Sequence, residues 1–297
     1  MKNVAAIDIG GTSIKAALVD EKFAILATAT APTPKDDVSG SATVDAILSI
    51  VAELEKSGPV SAIGFDTPGT IDEVRGIARW AGNLGWKDLE IRSLLQAKTK
   101  HPVVYGHDVR CGALAEMRSG AAAGFRNSIF IPIGTGIAAA LIVDGAIRAV
   151  DGFAGEIGHM NIGADIDCVC GLTGCLEAVA SAAAIEREYE RNAGSKKSAA
   201  EIAKSIGTDM NARAVWESAM HYLAVAVEDL ITILAPEAII FGGGLAGAGA
   251  LLIDPLERVL DKRLTFQRRP LLKVAHYGPS AGTIGCAIMA FDALAQG

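Results

Sequence analysis

The chain alternates between short, almost uninterrupted apolar runs and longer stretches in which apolar residues recur every three or four positions. Asn3 to Ile9 and Ser13 to Val19 are runs of the first kind, joined at Gly10-Gly11-Thr12, and they predict a β-hairpin. Asp8 sits at its mouth. Glycines at such a turn let backbone N–H groups approach an anion, and the Thr12 hydroxyl adds a donor, although a Gly-Gly turn by itself is only a turn. Val44, Ile47, Leu48, Val51 and Leu54 keep helical spacing until Gly58-Pro59. A strand at Ile63 to Phe65 then leads into Asp66-Thr67-Pro68-Gly69.

A helix is predicted over Leu89 to Lys98, a strand over Val103 to Tyr105 and a helix over Val109 to Ser119. Asp108, between those last two, reads either as a helix N-cap or as a carboxylate placed for chemistry at a strand end. Ala178 to Arg191, Ser198 to Ile206 and Asn211 to Leu234 are helical, with Ala-rich faces suited to close packing or to a subunit interface. Pro236 ends the last of them. Ala238 to Phe241 reads as a buried strand, and Gly242-Gly243-Gly244 opens the next helix, where a flat ligand can lie close to the backbone. A strand at Leu271 to Ala275 and a helix at Ala281 to Ala295 complete an α/β pattern.

One pattern occurs twice. Gly11-Thr12-Ser13-Ile14 leading to Leu18-Val19-Asp20 is echoed by Gly134-Thr135-Gly136-Ile137 leading to Leu141-Ile142-Val143-Asp144. The echo predicts two related lobes, each presenting a hairpin turn to a shared cleft. The division is expected at residues 1–105, with a C-terminal helix at about 282–297 packing back on that lobe, and 106–281. No Pro-, Gly- or Ser-rich linker marks it.

Composition narrows the class. With 297 residues, 51% of them hydrophobic, the chain can bury a large core. A net charge of -7 without blocks of like charge argues against nucleic acid and anionic membranes as partners. The start runs straight into a strand without a basic and an apolar leader region, so a cytoplasmic location is expected. The uncharged stretch from Asn127 to Val143 carries Gly, Pro, Asn and Thr and reads as buried strands. Five cysteines fit a reducing compartment, with Cys111 and Cys286 as buried bystanders.

The chemistry concentrates between Gly152 and Glu177. His159, Cys168, Cys170 and Cys175 offer one imidazole and three thiolates, a set that suits a closed, tetrahedral, structural zinc site, with Gly171 and Gly174 giving the tight loop a chelate needs. The alternative is a satisfied core histidine among small apolar cysteines. Glu156, three residues before His159, and Glu177, two after Cys175, bracket the knot. Ionised carboxylates accept at both oxygens and suit a ligand rich in hydroxyls, such as a sugar.

Here GEIGH followed by CxCGxxGCxE resembles the signature of the ROK family (repressor, open reading frame, kinase), and the resemblance runs from Asp8 to the C-terminal helix. It implies a two-lobed actin-like ATPase, ribonuclease H-like sugar-kinase fold with a structural Zn²⁺ knot. It also implies phosphorylation of a hexose at its 6-hydroxyl by ATP with Mg²⁺. Glucose is the first choice of substrate, with N-acetylglucosamine or N-acetylmannosamine as the alternative. A non-catalytic sugar sensor or a transcriptional regulator is the reading from another class.

By this resemblance Asp108 is the catalytic base. Gly69 of DTPGTID, Asn83 of NLGW, His107, Asp108, Glu156, His159 and Glu177 border the sugar. Asp8, Gly10, Gly11, Thr12, Lys15, Gly134, Thr135, Gly136, Gly243 and Gly244 serve the nucleotide and its Mg²⁺, and a homodimer is implied. The chain departs from the family's ND motif in having His107 for the usual Asn and Arg110 two residues after the Asp. A His107 of ordinary pKa, near 6.5, would make sugar affinity depend on pH; equally, it could turn from the sugar and pack on a neighbouring loop.

Overall fold

The computed structural model describes residues 2–296. The chain forms two compact units. The first runs from the N-terminus to Arg118 and adds Ala149–Phe153 and the segment from Ser280 onward; the second comprises Ser119–Arg148 and Ala154–Pro279. The helix after Asp108 thus stays with the first unit, whereas the sequence placed the division after residue 105.

In the first unit, β1 (Asn3–Ile9), β2 (Ser13–Asp20) and β3 (Ile25–Pro32) form an antiparallel meander. Helix α1 (Ser41–Glu55) follows, then β4 (Ile63–Thr67) and a small antiparallel sheet of β5 (Thr70–Asp72), β6 (Ile77–Ala81) and β7 (Trp86–Leu89). Helix α2 (Ile91–Gln96), β8 (Val103–His107) and α3 (Asp108–Ser119) complete this stretch. The main sheet has the order β3-β2-β1-β4-β8, with β1, β4 and β8 parallel.

Those three parallel strands are almost wholly buried because helices cover both faces, which is why they read as continuous apolar runs. Three details depart from the sequence reading. The helix expected from Leu89 begins at Ile91, because Leu89 ends β7; the strand β3 and the small sheet were not foreseen. β3 is a half-exposed edge strand with a weak pattern, and the short strands of the small sheet are separated by the Gly76 turn and the Gly82–Leu84 turn.

The second unit repeats the plan. β9 (Ser128–Pro132), β10 (Ala140–Val143) and β11 (Ala146–Ile147) form the meander. Helices α4 (Glu177–Ala180), α5 (Ala182–Ala193), α6 (Ala199–Ser205) and α7 (Met210–Leu234) precede β12 (Ala238–Gly242), α8 (Ala250–Arg263) and β13 (Leu271–Val274). The sheet order β11-β10-β9-β12-β13 has the same strand directions as the first, so the short repeat read in the sequence reflects a duplicated topology. Local signals set the helix ends: Ser181 caps α5, a Ser198/Glu201 capping box starts α6, and Asp209 accepts from the N–H groups of Asn211 and Ala212 at the start of α7. Trp216, Leu223, Phe241 and Leu256 lie in its core.

The last helix, α9 (Ala281–Gln296), returns to the first unit and packs on β1, β4 and β8. Its close approach depends on two glycines. A Cβ at Gly64 would collide with the Cys286 carbonyl, and one at Gly285 with the Cys111 carbonyl. No helix among the described residues is long and apolar enough to cross a membrane.

Candidate active site

Parallel register sets the first group of chemically active side chains. Asp8 pairs with Asp66 across β1 and β4, and Asp66 with Gly106 across β4 and β8, so Asp8, Asp66 and Asp108 come together at the carboxyl ends of three adjacent strands. Asp66 is fully buried, with Oδ2 accepting from Cys286 Sγ at 3.2 Å and Oδ1 lacking a partner among the described residues. Burial, then the neighbouring Asp8 and Asp108, hold its carboxyl well above the usual range. Asp8 is also raised, by burial first and Asp108 second, while Lys15 opposite it in the hairpin opposes the shift.

Asp108 begins α3. Its Oδ1 accepts from the Val109 N–H at 2.7 Å and lies 3.3 Å from His107 Nδ1, while Oδ2 has no partner among the described residues. That bond is to the next residue's N–H rather than to one a turn on, so Asp108 is not a regular N-cap. A third of the side chain remains open (36%). Burial of the carboxyl raises its pKa, and the Val109 N–H and the Arg110 guanidinium resist the rise.

His107 turns inward. Its side chain is 8% exposed, and burial, with Arg110 beside it, pushes its pKa down to about 3 while Gly69 contributes a backbone contact that favours the charged form. Of the two readings of His107, burial favours the packed one over the group titrating near neutral pH, and a neutral, enclosed imidazole stands beside Asp108. Glu73 Oε1 accepts both the His107 backbone N–H at 3.2 Å and Arg110 Nε at 2.9 Å, tying the strand-to-helix corner that carries Asp108.

Around this corner, Gly69 and Asn83 share a small cavity of about 80 Å³ with Pro68, Trp80, Ala81 and Gly82. Gly69 has φ 104°, and a Cβ there would strike the Trp80 carbonyl, so only glycine fits. Asn83 is exposed and packs against Gly11. The Gly10-Gly11-Thr12 turn is pinned by Thr33, whose N–H donates to the Thr12 carbonyl and whose hydroxyl donates to that of Gly10. Trp86 is a core residue, its Nε1–H donating to the Asp37 carbonyl at 2.8 Å.

In the second unit, the loop after β9 carries Gly134-Thr135-Gly136 and is closed by a Gly134 N–H bond to the Gly136 carbonyl at 3.0 Å. The glycine run lies against it: a Cβ on Gly243 (φ 71°) would meet the Ile133 carbonyl, which also accepts the Leu245 N–H at 3.1 Å. The run leads through Gly244 into a 3-10 turn before α8 begins at Ala250. Glu177, at the start of α4, points Oε2 at the Ile137 N–H, 2.8 Å away. Glu156 precedes the 3-10 turn Ile157–His159, its carbonyl accepting the His159 N–H.

The ligand atoms of His159, Cys168, Cys170 and Cys175 all lie within 4.8 Å of one another. Cys170 Sγ is 3.6 Å from Cys175 Sγ, and Cys168 Sγ is 3.8 Å from His159 Nδ1. A tetrahedron of sulfurs about 2.3 Å from a zinc ion has edges of about 3.8 Å, so the four residues fit such an ion. Gly171 (φ 90°) and Gly174 (φ 93°) supply the turns between the cysteines. The use of Nδ1 leaves His159 Nε2 for another partner.

Sequence reasoning missed Asp66 and Glu73 and misjudged Cys286. An Asp closing a wholly buried strand was a visible signal, but the adjoining Pro-Gly absorbed it as a turn. Cys286 is no bystander, since it donates to Asp66.

Comparison with known proteins covers nearly all of this architecture. The sequence pattern of the ROK family matches residues 4–293. The glucokinase of Halalkalibacterium halodurans is 32% identical over 94% of this chain and 92% of its own. The N-acetyl-D-glucosamine kinase of Photobacterium profundum is 28% identical over 95% of this chain and 97% of its own. The crystal structure of a ROK family glucokinase from Streptomyces griseus, in complex with glucose and AMPPNP, superposes with a TM-score of 0.83 at 29% identity, covering 98% of this chain and 99% of that one. An actin-like sugar-kinase fold, an acid at each of three strand ends and similarity over the whole length agree, and the chain belongs to the ROK family.

Proposed function

We propose that this protein transfers the terminal phosphoryl group of ATP to the 6-hydroxyl of a hexose, with glucose as the first candidate. The observation that carries the reading is Asp108: one carboxylate oxygen is held by the Val109 N–H and the other is open, on a chain similar to glucokinases from end to end. Phosphoryl transfer depends on positioning and charge stabilisation more than on covalent chemistry, so a fixed base and backbone donors suffice.

In this reading Asp108 Oδ2 accepts the hydroxyl proton. Gly69, Asn83, Glu156, His159 Nε2 and Glu177 orient the sugar, and His107 packs, enclosed, beside the Asp108 carboxylate. The N–H groups of Gly11 and Thr12 and of Thr135 and Gly136 face the phosphates, with Lys15 in support, while the Gly10 and Gly134 N–H groups close their own turns on the Ser13 and Gly136 carbonyls, and Gly243 and Gly244 lie under the nucleoside. Mg²⁺, when bound, neutralises phosphate charge, and Asp8 is the residue that would hold its water shell. His159, Cys168, Cys170 and Cys175 would hold zinc, which shapes the sugar side and activates no water. A homodimer is the proposed assembly.

A coupled ADP-release assay over glucose, mannose, fructose, N-acetylglucosamine and N-acetylmannosamine tests the reading. Glucose is expected to have the highest kcat/KM. A preference for N-acetylglucosamine supports the second reading, which the Photobacterium relative favours. Sugar binding without turnover on any of them overturns the kinase assignment in favour of a sensor.

A further inference from the structure

Glu177 is placed to do more than contact a sugar. Its Oε2 is committed to the Ile137 N–H at 2.8 Å, within the loop that carries Gly134-Thr135-Gly136, while Oε1 has no protein partner among the described residues. The surroundings are shaped to this carboxylate. A Cβ on Gly136 would lie 2.5 Å from Glu177 Oε2, and one on Gly158 would lie 3.2 Å from the same oxygen. A Cβ on Gly158 would also strike the Ile137 carbonyl, so the turn that carries His159 rests directly on the loop. The loop is held from the other side as well, since the Gly134 carbonyl accepts the Ala182 N–H at the start of α5 at 2.9 Å.

Three segments therefore meet at one carboxylate: the phosphate loop, the Ile157–His159 turn and the helix that follows Cys175. We propose that Glu177 is a positioning residue for the phosphate loop, coupling sugar occupancy at Oε1 to the arrangement of the loop N–H groups through Oε2. This rests on the kinase reading for the identity of the two ligands. A sugar hydroxyl on Oε1 fixes the carboxylate plane, which fixes the Ile137 N–H and with it the adjoining Thr135 and Gly136 donors. By linkage, each ligand then tightens the other to the same degree.

The test compares Glu177→Gln with Glu177→Ala. The amide oxygen of Gln still accepts from the Ile137 N–H, whereas Ala leaves that donor without its charged partner, a loss that corresponds to roughly tenfold or more in affinity. Mg·ADP and glucose affinities are measured separately and together by calorimetry, with thermal unfolding as a fold control. Expected is a tenfold or greater loss of Mg·ADP affinity in Glu177→Ala without sugar present, recovered to within about threefold in Glu177→Gln. The mutual tightening of glucose and Mg·ADP seen in the wild type is expected to vanish in Glu177→Ala. If Glu177→Ala loses glucose affinity but keeps both Mg·ADP affinity and the mutual tightening, Glu177 serves the sugar alone and the inference is wrong. If the wild type binds glucose and Mg·ADP independently, the coupling is wrong while the kinase reading stands. A wild type that binds neither ligand overturns both.

Discussion

Replacing Cys175 by Ala removes one corner of the His159–Cys168–Cys170–Cys175 cage, and the structure indicates how much depends on it. Ile162, Ala164 and Leu176 anchor the base of the knot in the core, but apart from the ligands the loop from Ile166 to Cys175 has little to hold it. Cys168, Cys175 and Ala178 form a small buried cluster with Ile166 against it, while Val169 and Leu172 face solvent. Burying three such small side chains contributes about 3 kcal/mol at most. The segment's backbone bonds, among them Cys168 N–H to the Leu172 carbonyl and Gly174 N–H to that of Ile166, are short-range. A structural zinc in a preformed cage contributes on the order of 10 kcal/mol, comparable with the whole stability of a domain.

The metal term is thus the larger by about threefold, and Cys175→Ala is expected to lose the metal and open the segment between His159 and Cys175. Metal analysis should give one zinc per wild-type chain and less than a tenth of that in the variant. Hydrogen exchange over residues 160–175 should accelerate markedly, and glucose affinity should fall because His159 loses its anchor. Wild-type protein that carries no zinc yet has the same exchange protection and full activity would refute the reasoning.

Two further outcomes follow from the buried titratable groups. His107 has a folded pKa of about 3, below its unfolded value near 6.5, so the fold disfavours its charged form. Its contribution to stability is complete above about pH 6.5 and erodes as pH falls toward 3; His107→Asn should flatten urea stability across that window and leave the pH profile of sugar KM between pH 6 and 8 unchanged. A lost KM step in that range would refute the assignment of a neutral, enclosed ring. Asp66 has the opposite sign: its folded pKa is raised, so stability is greatest below the ordinary carboxylate value of about 3.9 and declines as pH rises through the folded value. Asp66→Asn should therefore be more stable than wild type at the high end of that range, and equal stability at every pH would show that Asp66 carries no such penalty.

How much of this was legible in the sequence depended on whether a signal was local. The starts at Ser198 and Asp209, the glycine turns and the His/Cys spacing are set by neighbouring residues and agree with what was read, whereas Ser181 ends one short helix and caps a second where a single helix, Ala178 to Arg191, was expected. The duplicated hairpin was legible because buried strands leave continuous apolar runs. The half-exposed edge strand β3 and the short, turn-separated strands of the β5-β6-β7 sheet leave no comparable trace. The meeting of Asp8, Asp66 and Asp108 could not be read, because parallel register between positions 40 or more residues apart is fixed by packing and by no local motif. His107 shows the same limit: its residue type suggested a titrating group, and only its burial, with the Arg110 guanidinium beside it, makes it neutral.

The central claim is that Asp108 is the base of a sugar kinase, and single-turnover phosphorylation of glucose by wild type and Asp108→Asn tests it most directly. The substitution preserves shape, and the amide can keep the Val109 N–H bond through its oxygen, so glucose affinity measured by calorimetry should stay within a few-fold of wild type. The rate of phosphoryl transfer should fall by roughly 10²–10⁴, the range general-base catalysis supplies. A variant that binds glucose normally and transfers phosphoryl at a near-wild-type rate would contradict the account and place the base elsewhere.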